Sequence, residues 1–129
     1  MTNNTMHDLG VARQIGTYGD AVEVPANARW LMTAGTPGLA LDGSVPPDIG
    51  GQAELAWSHI VAMLKRADMS VHDIVKLTQY LLHPADIPAY AQVRTRYLGS
   101  ARPASLLLIA PGLVRPEFLL EIEVCAAKA

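Results

Sequence analysis

The segment from Leu119 to Ala126 (LLEIEVCA) spaces Glu121, Glu123 and the chain's single cysteine, Cys125, at every second position. Strand side chains alternate between faces, so Leu120, Ile122, Val124 and Ala126 share one side while Glu121, Glu123 and Cys125 share the other. The two carboxylates then project from one face about 7 Å apart. On a fully solvated face they would be ordinary surface charges. If another subunit covers that face, Glu121 sits where access of water is restricted, and a carboxylate so placed can orient or activate a water molecule. Cys125 would share the crevice, as a reactive thiol or as a small apolar filler.

Few other residues offer chemistry by type and spacing. His7, His59, His72 and His83 are not paired at metal-ligand intervals and have no cysteine beside them, so no metal site is expected. Ser105 lies outside any G-x-S-x-G motif and has no histidine near it in sequence. The glycine-rich stretch over 35–51 has no G-x-G-x-x-G and no terminal Lys-Ser/Thr, which argues against a phosphate cradle. Trp30 and Trp57 suit core or interface positions. The formal charge is −2 over 129 residues, with no basic run, which argues against nucleic acid and against a membrane surface as partners. The N-terminus MTNNTMHDLG is polar and unlike a secretion signal, and one cysteine permits no internal disulfide, so a cytoplasmic location is expected.

These residues need a scaffold, and one domain spanning 1–129 is expected, with 1–13 loosely held. Ala21–Val24 and Arg29–Thr33 read as strands of a hairpin around a turn at Pro25–Ala28, followed by a long loop over 35–50. Over 51–67, Ala53, Ala56, Trp57, Ile60, Leu64 and Ala67 recur at helical intervals. Ile74–Leu82 reads as a strand. A second helix follows Pro84-Ala85-Asp86 with Asp86 as N-cap, presents Ile87, Tyr90, Val93 or Arg94, and Tyr97 on one face, and stops at Gly99. Ala104–Ala110 and Phe118–Ala126 complete the strands. Two helices can cover one face of such a mixed sheet, an α+β arrangement. The other face has no element left to cover it, which predicts an oligomer.

The stretches Ile15-Gly16-Thr17-Tyr18, Thr33-Ala34-Gly35, Asp73-Ile74-Val75-Lys76, Val93 to Tyr97, Arg102-Pro103-Ala104 and Glu121-Ile122-Glu123 occur in an order and spacing that resemble the RidA/YjgF/UK114 family. The resemblance implies a chorismate-mutase-like homotrimer with clefts between subunits. It further implies hydrolysis of reactive enamines and imines such as 2-aminoacrylate, without metal or cofactor. Tyr18 matches the family's cleft tyrosine, Glu121 the glutamate associated with the catalytic water, and Ala34-Gly35 the turn after the second strand, where a serine is common in place of Ala34. The family's deaminases carry an arginine at the position of Ser105. Serine cannot form that residue's two-pronged grip on a carboxylate. The expectation is therefore a deaminase of a substrate other than 2-aminoacrylate. Glu121 would act on water, Tyr18 and Ser105 would line the cleft, and backbone N–H groups near Ser105 and Leu106 would hold an anionic oxygen. Arg94, where the second helix commonly has an asparagine, or Arg102, would supply the missing positive charge. The alternative is a trimer that binds a metabolite or another protein without turnover.

Overall fold

The computed structural model describes residues 2–129. Its elements are β1 (Thr5–His7), β2 (Ala21–Glu23), β3 (Arg29–Met32), β4 (Thr36–Pro37), α1 (Ile49–Arg66), β5 (Ile74–Leu81), α2 (Ile87–Leu98), β6 (Ala104–Ile109) and β7 (Leu120–Lys128). The main sheet runs β3-β7-β5-β6, with β4 also paired to β7. Only β5 and β6 are parallel, and α2 supplies the crossover that a parallel pair requires.

The alternation in β7 determines how the layers stack. Leu120, Ile122, Val124 and Ala126 are buried against the helices together with Leu77 and Leu81 of β5. From α1, Trp57, Ile60 and Leu64 meet them, and Trp57 stacks on Tyr97 of α2 with ring centroids 6.0 Å apart. Glu121, Glu123 and Cys125 occupy the far face beside Tyr80, Thr78 and Lys76. That face also carries Trp30 and Met32, 54% and 70% exposed, and Leu108, 45% exposed.

The expected hairpin does not form. β2 pairs antiparallel with β1, and β3 pairs with the distant β7. The turn between them exists, closed by Ala28 N–H on the Pro25 carbonyl, but it redirects the chain from one sheet to another. The N-terminal segment expected to be loosely held contributes β1. The loop expected over 35–50 contains β4 and the start of α1, which begins at Ile49 because the Asp48 side chain accepts the Gly51 N–H at 2.8 Å. Asp86 makes no side-chain cap: a 3-10 turn over Pro84–Asp86 runs directly into α2 and holds Asp86 in helical backbone geometry, where its side chain is not aimed at the first N–H groups. Gly99 ends α2 at φ +56°.

Candidate functional site

The edge strand β6 is paired along one side by β5, and on the other only at its start, where Gly19 bridges Ala104 and donates its N–H to Pro103. A cavity of about 400 Å³ opens along its remaining edge. Tyr18 lines it from the segment preceding the bridge, Ile87 and Arg94 from α2, and Ser105, Leu106 and Leu107 from β6. Alternation puts Ser105 and Leu107 on the helix side of the sheet and Leu106 on the far side, so the cavity wraps the strand's edge.

One buried side chain organises the helix side of this cavity. Gln79 of β5 is fully buried between Leu77 and Leu81 on the apolar face. Its Nε2 donates to Ser105 Oγ at 2.8 Å and to the Leu106 carbonyl at 3.1 Å. Its Oε1 accepts from the Tyr90 hydroxyl at 2.6 Å and from Arg94 Nη1 at 3.2 Å. Arg94 also lies over the Tyr90 ring, 5.5 Å from its centroid. Burial pushes the Tyr90 phenol well above its ordinary pKa, outweighing the smaller opposing effects of Trp57 and of the Arg94 charge. Tyr90 therefore remains a neutral donor. Sequence reasoning missed Gln79. Its signal was visible in Leu77-Thr78-Gln79-Tyr80-Leu81, a polar residue at a position that alternation assigns to the core.

Tyr18 owes its position to Asp20. The Asp20 carboxylate accepts the N–H groups of Ala12 at 2.7 Å, Leu9 at 2.6 Å and Gly10 at 3.1 Å, cinching the loop that leads to Tyr18. These bonds, the one from Ala12 foremost, hold its carboxyl below the ordinary value of 3.8. A depressed folded-state pKa stabilises above the unfolded pKa and is lost as pH falls through the folded one. Amide protection at Leu9, Gly10 and Ala12, followed by hydrogen exchange, is expected to be complete at neutral pH and to fall below about pH 4. Asp20→Asn should lower that protection at neutral pH and remove its dependence on pH in this range.

Glu121 lies on the opposite face of the sheet from Ser105. β3 and β4 are two pieces of one edge, interrupted at Thr33-Ala34-Gly35. At the break Thr33 donates its N–H to the Val124 carbonyl, and its hydroxyl accepts the Val124 N–H, both at 3.0 Å. The Glu121 side chain rests against Gly35, where a Cβ would lie 2.9 Å from the Glu121 carboxyl carbon. Within one chain, then, Tyr18, Arg94, Ser105 and Leu106 come together, and Ala34, Gly35 and Glu121 come together, but the two groups do not meet. A crevice in which Glu121 and Ser105 of the same chain share a ligand is ruled out by strand alternation. Arg102 is absent from the cavity wall and spends its Nη1 donors on the Gly99 and Ala101 carbonyls at 2.9 and 2.8 Å. Among the described residues no group of three or more His, Cys, Asp or Glu is placed to hold a metal ion, and no helix is long and apolar enough to cross a membrane.

Two helices on one face of a mixed sheet, with a cavity at the edge strand, form the chorismate-mutase-like fold of the YjgF/Rid proteins. A Rid family protein of unknown function from Yersinia pestis superposes with a TM-score of 0.83 at 25% identity, covering 97% of this chain and 98% of that one. RidA from an Antarctic Psychrobacter superposes at 0.70 with 26% identity, over 87% and 89% of the two chains. A RutC family protein of Pyrococcus abyssi is 29% identical over 120 residues, 90% of each chain. The family model described as Endoribonuclease L-PSP matches residues 11–128, and the chain belongs to that family, the RidA/YjgF/UK114 proteins.

Proposed function

We propose that this protein is an imine or enamine deaminase working as a homotrimer, with each active cleft built from two copies. The observation that carries this reading is the division of the candidate residues between opposite faces of one sheet. A carboxylate able to handle water and a cavity able to hold an anionic ligand can meet only if the far face of one copy packs along the β6 edge of another. The exposed Trp30, Met32 and Leu108 on that far face favour such packing.

In the proposed reaction an enamine first tautomerises to its imine, one proton going to carbon as another leaves nitrogen. Glu121 accepts a proton from water as the oxygen adds to the C=N carbon, and returns it to nitrogen. The hydroxyl proton of the resulting carbinolamine then passes to nitrogen as the C=O bond forms and the C–N bond breaks, so that one imine and one water give one carbonyl compound and one ammonia. Tyr18 and Ser105 line the cleft, Ala34 and Gly35 form the floor against which Glu121 rests, and Arg94 supplies the positive charge that serine at 105 cannot.

Incubating the purified protein with imines generated freshly from a panel of amino acids, and following ammonia, tests the reading. Accelerated release from at least one imine is expected. No acceleration on any would replace it with the alternative of a binding protein without turnover. Gly35→Ala is a sharper probe: its new Cβ meets the flexible end of Glu121 and displaces the carboxyl group. The rate is expected to fall roughly 10- to 100-fold, the range associated with misplacement by about 1 Å. The melting temperature should barely change, because a flexible side-chain end can yield.

A further inference from the structure

We propose that Gln79 is a positioning residue that presets a carboxylate clamp formed by Arg94 and Ser105, and that the ligand it selects is a monocarboxylate with an apolar body. The inference rests on the cavity along β6 being the functional cleft, as argued above, and adds to it the chemistry of what enters.

Gln79 uses all of its hydrogen-bonding capacity, and its amide can be oriented in only one way. The Leu106 carbonyl can only accept, so Nε2 faces it; the Arg94 guanidinium can only donate, so Oε1 faces that. With Nε2 also on Ser105 Oγ, the serine is an acceptor toward Gln79, and its own proton is left to be donated elsewhere. Ser105 lines the cavity, and so does Arg94. Arg94 commits Nη1 to Gln79 and has no carboxylate within 4.0 Å among the described residues. A single amide thus aims one hydroxyl donor and one guanidinium at the same space, and no acidic residue lines that space. A fixed cation beside a fixed O–H, unopposed by negative charge, complements a carboxylate. The remaining walls are largely apolar: Ile15, Ile87, Leu106 and Leu107. A small polar acid would leave them wet, whereas a branched aliphatic chain would cover them.

Product-type ligands test this without requiring turnover. Titration calorimetry would compare 4-methyl-2-oxopentanoate with pyruvate, which lacks the apolar body, and with 4-methyl-2-pentanone, which lacks the carboxylate. The branched acid is expected to bind about tenfold or more tighter than either. In Gln79→Leu the advantage of acid over ketone should collapse while ketone affinity stays unchanged, which a merely structural role would not produce. An undiminished acid advantage in folded Gln79→Leu overturns the positioning role. Should that variant fail to fold, Arg94→Gln and Ser105→Ala at the cavity wall carry the test through the acid-to-ketone ratio. Equal losses for both ligands, or pyruvate binding as well as the branched acid in the unaltered protein, overturn the proposal. Acid selectivity without ammonia release would keep the clamp and remove the deaminase reading; ammonia release without acid selectivity would do the reverse.

Discussion

Glu121→Gln is expected to abolish most imine hydrolysis, lowering the rate by about 10²- to 10⁴-fold, the range general-base catalysis supplies. The substitution keeps the shape of the side chain and its rest against Gly35, and it removes only the ability to take a proton from water. The Glu121 side chain makes no hydrogen bond or ion pair within its own chain among the described residues, so the folded chain should lose little. Ligand affinity in the β6 cavity should not fall, because Arg94 and Ser105, which would hold the ligand, are left intact. A normal melting temperature, normal binding of an oxo acid and a collapsed rate of ammonia release would together assign Glu121 to the chemical step. A rate within twofold of the parent would remove it from that role. Mixing Glu121→Gln with an Arg94→Gln variant adds a test of the shared cleft. If each cleft draws Glu121 and Arg94 from different copies, mixed assemblies contain some clefts with both residues intact and recover part of the activity, whereas a site built within one chain recovers none.

What the sequence made legible follows the range of the forces involved. The faces of β7 and β5 and the buried stripe of α1 are encoded by local periodicity, and the structure has them as read, with Leu120, Ile122 and Val124 buried and Trp57 and Ile60 in the core. The same local logic misled at the turn over Pro25–Ala28. Its composition announces a reversal of the chain but says nothing of which N–H and C=O groups the next strand will meet, and β3 finds its partners almost a hundred residues away. β4 was hidden because two residues among glycines and prolines carry no period. For the site, Tyr18, Arg94, Ser105 and Glu121 could each be named from sequence, but not their grouping. Applying strand alternation to β6 relative to β5 requires knowing that they pair in parallel with Leu77 opposite Ser105. That register puts Ser105 on the helix face with Gln79, and Glu121 on the other.

The register of β7, and with it the direction of Glu121, depends on a second buried amide, and removing it should produce a large loss of stability. Gln52 on α1 is 1% exposed. Its Nε2 donates to the Pro46 and Glu117 carbonyls, both at 2.9 Å, and its Oε1 accepts the Leu119 N–H at 2.8 Å. One side chain thus ties the long loop before α1 and the chain entering β7 to the helix between them. Gly38 permits this, since a Cβ there would lie 2.5 Å from the Gln52 Cα. Gln52→Leu fills the same space but leaves two carbonyls and one N–H without partners. At roughly 1 kcal/mol or more for each unsatisfied group, the expected loss is about 3 kcal/mol, or roughly 10 °C in melting temperature for a domain of this size. The Arg96–Glu54 ion pair on the helical surface offers the contrast. Arg96 lowers the Glu54 pKa through its hydrogen bond, yet both side chains are substantially exposed, and Arg96→Gln should leave the melting temperature almost unchanged. Equal melting shifts for the two variants would show that water replaces the Gln52 amide, and that the geometry of β7 is held by its strand pairing alone.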